Sequence, residues 1–447
     1  MYAFDASLQA KATLKERFVW IVFLGAMFFI LYGAANQYAH LTAPHAALFM
    51  DWETRLPFVE WLIVPYMSSD ILFCIAFLLP YTRLELRVLA VRVLFIITGS
   101  VLFFVLLPLQ FSFQKPEITG FTFLFGLLQA DLPYNQLPSL HISFTIVLWA
   151  SMRVKIKSLI LRAAIVIWLV LIAVSTLLVF QHHFIDIPTG VLAGLLALYL
   201  VPASKPTYLT DRFSTPRHIK IGLYYLAGAL CMLLATFWSP WLQWLFLWIF
   251  ISLLLVSIIY AFGFNDLLAG RQGKANLLQW IFFAPYFIGS YLSWHYYRRK
   301  IPLMSHVKSH VYLGRYPTSD EYEEVKSAGI VKAINLATEQ QVQSAAIQQT
   351  RFPFLDLTIQ SPESLYQMAK TIEAGAGEKI YVHCALGLSR SVLAVASWLL
   401  YKGHNIEEIG QLIGDHRVAY LNSPYMQVAL DLYQNYLKKL ELETSRA

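Results

Sequence analysis

Long apolar runs fill the first 300 residues, and short alternating ones fill the rest. The long runs fall at about 18–38, 57–80, 88–108, 139–152, 158–181, 184–202, 219–237, 241–263 and 276–297. A helix needs about 20 apolar residues to cross the hydrocarbon core of a bilayer, so the pattern predicts nine candidate crossings. The first run ends in polar residues with no small-residue cleavage site behind it, which marks an anchor rather than a cleaved leader. Trp241, Trp244, Trp294, Tyr296 and Tyr297 stand at run ends, as expected of interfacial aromatic belts. Beyond residue 300 the apolar runs shorten. Strands are predicted at about 310–314, 331–336, 351–357 and 379–384, and helices at 319–328, 363–375, 390–402, 405–414 and 424–440. The expected fold is a multispanning α-helical membrane domain over 1–300, followed by an α/β domain with a partly parallel sheet over 305–440.

Composition sharpens that division. The chain has 447 residues, 57 % hydrophobic and 14 % charged, with a mean hydropathy of +0.54. Soluble domains carry about 25 % charged residues, so a wholly soluble protein, a disordered chain and a disulfide scaffold are excluded. Of 34 Lys and Arg residues, 21 precede residue 301, against 12 of the 27 Asp and Glu. The basic excess therefore belongs to the apolar part, where it implies positive membrane flanks and no nucleic-acid partner. Its distribution sets the orientation. Lys11, Lys15 and Arg17 precede the first run, Arg83 and Arg87 the third, Arg153, Lys155 and Lys157 the fifth, and Lys205, Arg212, Arg217 and Lys220 the seventh. The N-terminus is expected in the cytoplasm, with segments 109–138 and 181–184 on the outer side. Arg271, Lys274 and Arg298-Arg299-Lys300 flank the last run on both sides and break the alternation. That run, interrupted by Pro285 and Gly289, either stops short of crossing or shows an earlier count to be off by one. An even number of crossings and a cytoplasmic C-terminal domain are expected.

Two outer segments carry chemistry. One reads Asp131-Leu-Pro-Tyr-Asn135-Gln-Leu-Pro138-Ser139-Leu-His141, the other Gln181-His182-His183-Phe-Ile-Asp186. His182 and Asp186 are four apart, so on a helix they share one face and the carboxylate can orient the imidazole. Ionisable groups at membrane depth are costly and point to function.

Pro138-Ser139-Leu140-His141 and Ser175-x6-His182-x3-Asp186 resemble the type 2 phosphatidic acid phosphatase superfamily over about 57–202. The resemblance implies His182 as nucleophile, Asp186 as its orienting carboxylate, His141 as the acid protonating the leaving oxygen, and Ser139 and Lys115 as phosphate-binding residues. His183 is the competing nucleophile. Two cations of that family's pattern are missing, since Pro108 stands where the first Lys belongs and Thr176 where an Arg belongs. Phosphoryl transfer depends on such cations. The texture is similar to the branch with inositol-phosphorylceramide and sphingomyelin synthases, so lipid headgroup transfer stands beside hydrolysis, and so does a non-catalytic phosphate-binding protein.

Among three cysteines, Cys74 and Cys231 lie in apolar runs, whereas Cys384 follows a predicted strand. The string His383-Cys384-Ala385-Leu386-Gly387-Leu388-Ser389-Arg390-Ser391 opens an apolar helix. Five residues between Cys384 and Arg390 can turn backbone N–H groups inward as an anion nest at a helix N-terminus, a field that favours the nucleophilic thiolate. Gly387 permits the tight backbone, Arg390 supplies a bidentate clamp, and Ser391 can hydrogen-bond the sulfur. The string resembles the cysteine-dependent dual-specificity phosphatases over about 305–440. That resemblance implies an upstream acid, for which Asp356 is placed, with Glu363 as the fallback. Positions 385, 386 and 388 are apolar where phosphoinositide phosphatases place Lys, implying a singly phosphorylated substrate. Asp356-Leu-Thr with Ser-Arg-Ser is also similar to the mitochondrial phosphatidylglycerophosphate phosphatase. The whole chain resembles bacterial inner-membrane proteins that join the two domains. The implied activity is hydrolysis of a phosphorylated lipid or phosphoprotein, with membrane lipids as partners and with no cofactor or metal.

Overall fold

Each of the nine long apolar runs folds as a helix: Leu14–Leu41, Ile63–Leu78, Arg83–Leu106, Leu140–Met152, Leu159–Leu178, Asp186–Leu200, Pro216–Trp238, Gln243–Phe262 and Leu277–Tyr297. The computed structural model describes residues 6–129, 131–203, 213–238, 241–269, 275–340, 347–414 and 420–444. Lys205, Arg212, Arg271 and Lys274, invoked above for orientation, lie outside the described residues. Helix starts follow from capping boxes: Thr13 with Glu16, Thr82 with Glu85, and Asn276 with Gln279. Six helices among the described residues are long and apolar enough to cross a membrane, at 14–41, 60–78, 83–106, 159–178, 216–238 and 243–262. The chain divides into two compact units, Met1–Tyr208 and Leu209–Ala447.

In the first unit the decisive seam joins Asp186–Leu200 to Leu140–Met152. A Cβ on Gly190 would stand 2.7 Å from Ser139 O, and one on Gly194 2.8 Å from Ile146 Cβ. Two glycines one turn apart thus let the backbones touch. Ser143 Oγ donates to Gly190 O (3.0 Å), and Ser139 N–H donates to Asp186 O (3.2 Å). The Pro-Ser-Leu-His segment and the His-His-Phe-Ile-Asp segment are therefore held side by side.

In the second unit, Pro216–Trp238 and Gln243–Phe262 form an antiparallel hairpin. At its open end stands Gly263, whose φ of +69° and close approach to Phe213 O exclude a side chain. Five strands follow: β1 (Met304–Lys308), β2 (Val311–Arg315), β3 (Ile330–Ala337), β4 (Gln348–Phe354) and β5 (Lys379–Cys384), in the order β1-β2-β5-β3-β4. Only β1 is antiparallel to its neighbour. The sequence reading omitted β1 because Met-Ser-His-Val-Lys is too polar to register as a strand. The central β5 alternates as a buried strand must. Ile380, Val382 and Cys384 join the larger core with Leu365, Val392 and Leu430, whereas Tyr381 packs with Tyr322 and Val325.

Two outcomes follow. Gly190→Val forces the seam apart, and its thermal unfolding in detergent should show about 1–3 kcal/mol of lost stability. At the end of β2, Arg315 donates two 2.8 Å hydrogen bonds to Glu321. That hydrogen bonding holds the Glu321 carboxyl down at about 2. A depressed folded pKa stabilises above the unfolded value and is lost as pH falls through the folded one. Acid unfolding between about pH 4.5 and 2 should therefore be shallower in Glu321→Gln than in the parent.

Candidate active sites

The phosphate-loop string begins where β5 ends, between the parallel neighbours β2 and β3, and runs into the helix Arg390–Tyr401. Gly387 has a φ of +72°, and a Cβ there would lie 2.6 Å from the Gly314 carbonyl. Only glycine fits this turn. Its N–H points back to Cys384 Sγ (3.3 Å), and Ser391 Oγ lies 3.3 Å from the same sulfur. Cys384 itself is buried. Tyr316 N–H ties down Ala385 O (3.0 Å), and Ser389 Oγ meets Tyr425 OH (3.0 Å). Leu386 and Leu388 are half-buried. His383, stacked on Tyr381, is pushed by burial down to about 3 and stays neutral.

Arg390 is 2 % exposed, yet it is charged. Its Nη1 and Nη2 donate to the two oxygens of Glu339 at 2.8 and 2.5 Å, and Nη1 also reaches Phe354 O (3.2 Å). Burial acts against the guanidinium charge, but Asp356 and Glu339 outweigh it and hold Arg390 well above its ordinary value. Burial also opposes the Glu339 charge, and Arg390 overrides it, lowering that carboxyl. The Nε edge faces Asp356 Oδ1 at 3.3 Å. Asp356 follows β4, with a side chain 43 % exposed. The next residue, Leu357, takes a left-handed φ of +56° and donates its N–H to Asp356 Oδ1 (3.0 Å). Glu363 lies exposed in the first turn of Pro362–Glu373, away from this group.

In the first unit the two histidine segments meet. His182 Nδ1 lies 3.0 Å from Asp186 Oδ2, and the His141 and His182 rings are 6.0 Å apart. Ser139 Oγ is buried without a hydrogen-bond partner. His141 and His182 line a cavity of about 320 Å³ with Tyr66, Asp70 and Asp131. Lys115, Asp131 and His182 line an adjoining one of about 420 Å³. His183 is engaged elsewhere: its Nδ1 faces the buried Glu53 (3.3 Å), and Ser112 Oγ lies 3.3 Å from its Nε2. Burial lowers the His183 pKa, against the pull of Glu53 and Asp186.

Three acids at these sites escaped the sequence reading. Glu339 stands two residues beyond β3, at the strand edge that also carries Cys384, and that placement was its available signal. Glu53 sits in a single 3₁₀ turn, Asp51–Arg55, where no periodicity marks it. Asp131 stands ten residues before His141, with no motif spacing to mark it. It accepts from Tyr32 OH and Asn36 Nδ2, both at 2.9 Å.

Glu339→Gln leaves Arg390 buried with only the half-exposed Asp356 as counter-charge. Removing one partner of a buried pair costs about 3–5 kcal/mol, which denaturant unfolding of the variant should show, together with a lower kcat/KM toward para-nitrophenyl phosphate.

Residues 311–435 match the family described as dual specificity phosphatase, catalytic domain. No curated protein matches the chain significantly. Solved structures similar to it include Tk-PTP in its active form, with 22 % identity, a TM-score of 0.28, and 30 % of this chain and 97 % of that one covered. Human DUSP28 has 20 % identity and a TM-score of 0.28, with 31 % and 96 % covered. PTPMT1 in complex with PI(5)P has 18 % identity and a TM-score of 0.28, with 32 % and 99 % covered. The segment 311–435 is thus a dual-specificity-phosphatase catalytic domain, and the chain is an enzyme that hydrolyses phosphate monoesters.

Proposed function

We propose that hydrolysis runs through a phosphocysteine on Cys384 in a multi-pass bacterial inner-membrane protein. The observation that carries this reading is the buried Cys384 sulfur inside a loop whose Arg390 is charged and fixed by Glu339. The N–H groups of residues 385–389 and the Nε edge of Arg390 take the phosphoryl oxygens. Cys384 thiolate attacks phosphorus, the P–O ester bond breaks, and the leaving oxygen takes a proton from Asp356. Water then attacks the phosphocysteine and gives its proton to Asp356, while Ser391 hydrogen-bonds the departing sulfur. Ala385, Leu386 and Leu388 offer no cation for a second phosphate, so the substrate is singly phosphorylated, on a lipid or on tyrosine.

The first unit holds a second phosphate-handling site of the type 2 phosphatidic acid phosphatase kind. His182 is the nucleophile, oriented by Asp186, with His141 as acid and Ser139 and Lys115 as phosphate ligands. The seam of Gly190 and Gly194 supports this, because it is what places the segments of His141 and His182 together. Helix 277–297 is the run that does not cross. Trp248 Nε1 binds Ile281 O (2.6 Å) on the hairpin side, and Trp294 Nε1 binds Tyr316 O (3.1 Å) on the sheet side. An even number of crossings then leaves both termini in the cytoplasm.

Cys384→Ser should abolish release of phosphate from para-nitrophenyl phosphate, and Asp356→Asn should lower kcat toward alkyl phosphates by about 10²–10⁴. Rapid quench with ³²P-labelled substrate should trap label on Cys384. Full activity in Cys384→Ser protein would refute the mechanism. His182→Ala should leave the phosphotyrosyl peptide activity intact while removing a portion of the lipid activity.

A further inference from the structure

Within the second unit, the apolar hairpin touches the catalytic machinery. Tyr260 OH accepts a hydrogen bond from Asp356 N–H (3.3 Å), and Arg217 Nε donates to Leu357 O (3.0 Å). The Arg217 guanidinium also lies 4.6 Å from the ring centre of Tyr425, the residue that meets Ser389 of the phosphate loop. Asn265, just beyond the hairpin, donates to Gln360 (3.3 Å). Tyr225 packs against both Tyr260 and Tyr286, with ring centres 5.0 and 5.9 Å away. Both helices of the hairpin thus hold the loop that carries the acid.

Helix geometry converts these contacts into a depth. Arg217 is the second residue of Pro216–Trp238, and Tyr260 is the third from the end of Gln243–Phe262. At 1.5 Å per residue, both lie within about 5 Å of the same end of the hairpin. The two helices have 23 and 20 residues and are apolar enough to cross a membrane. A span of about 30 Å equals the hydrocarbon thickness, with roughly 5–7 Å of headgroup layer beyond it on each side. The outward side chains Leu223, Leu230, Leu234, Phe237 and Trp238 are exposed. Trp238 and Trp241 mark the far end, and Arg217 with Lys220 marks the near one. Asp356 therefore sits where hydrocarbon gives way to headgroups.

We propose that the Cys384 site takes a lipid phosphate monoester from the bilayer itself, the hairpin 216–262 setting the acid loop at headgroup depth. The proposal rests on the phosphocysteine reading above. The lipid's terminal phosphate meets Cys384 while its chains stay in the membrane. Cleavage of the P–O bond returns the lipid alcohol, protonated by Asp356, to the bilayer, and hydrolysis of the phosphocysteine sends inorganic phosphate to water. A phosphotyrosyl side chain on a folded protein would have to enter the headgroup layer to reach the same atoms. Tyr260 is a positioning residue, acting on the substrate through Asp356.

The test uses the full chain with His182→Ala, so that the histidine site contributes nothing, in phosphatidylcholine vesicles containing phosphatidic acid. Phosphate release should follow the mole fraction of phosphatidic acid in the bilayer rather than its bulk concentration. Its kcat/KM should exceed that for a phosphotyrosyl peptide by roughly tenfold or more. Tyr260→Phe should lower kcat on the lipid about fivefold, with a smaller loss on para-nitrophenyl phosphate, whose leaving group needs little protonation. Preference for the peptide, or a rate that follows bulk concentration alone, overturns the proposal even if Tyr260→Phe does not fold. Para-nitrophenyl phosphate turnover that survives Cys384→Ser instead overturns the phosphocysteine reading beneath it.

Discussion

The catalytic domain depends on keeping Arg390 both buried and charged. A guanidinium with 2 % exposure needs a counter-charge already in place, and Glu339 supplies it with a fork-to-fork pair. The pair is made available by sheet order: β3 lies beside β5, so the residues just past β3 stand next to the loop that follows β5. Glu339 and Asp356 then divide the guanidinium between them, Glu339 on the two Nη atoms and Asp356 on Nε. Their exposure separates their roles. Glu339, 6 % exposed, is locked to Arg390, whereas Asp356, 43 % exposed, keeps most of its carboxylate open to solvent beside the Nε edge.

Legibility in the sequence followed the strength of each local signal. All nine apolar runs are helices, because a run of some 20 apolar residues has few alternatives. The α/β order emerged from short runs of the right length, and its loss of β1 came from a strand with no apolar alternation. Cys384, Gly387, Arg390 and Ser391 were visible together because they lie within eight residues. Glu339 lies 51 residues before Arg390 and Glu53 lies 130 before His183, and each is joined to its partner only by tertiary structure. Long-range pairing leaves no period to read in a single chain.

The two clusters are built alike. His182, in the loop just before the helix, takes its orientation from Asp186 at that helix's first position, rather than from a shared helical face, and Arg390 takes its from Glu339 across a sheet. In each case a carboxylate removed from water fixes a buried nitrogen-bearing side chain, and a glycine allows the backbones to come close enough. Gly190 does this for the histidine segments, and Gly387 does it for the cysteine loop.

That parallel bears on why a phosphatase loop is joined to apolar helices. A free-standing catalytic domain must hold its own acid loop, and here Leu357 already adopts a left-handed conformation that leucine disfavours. The hairpin supplies what that loop lacks: Tyr260 OH accepts from the Asp356 N–H, and Arg217 Nε donates to the Leu357 carbonyl. Both hydrogen bonds fall on the strained dipeptide, so the acid's conformation depends on helices whose own environment is apolar. The loop after β4 is thus completed by side chains from outside the sheet, which is the physical link between the phosphatase fold and the apolar helices.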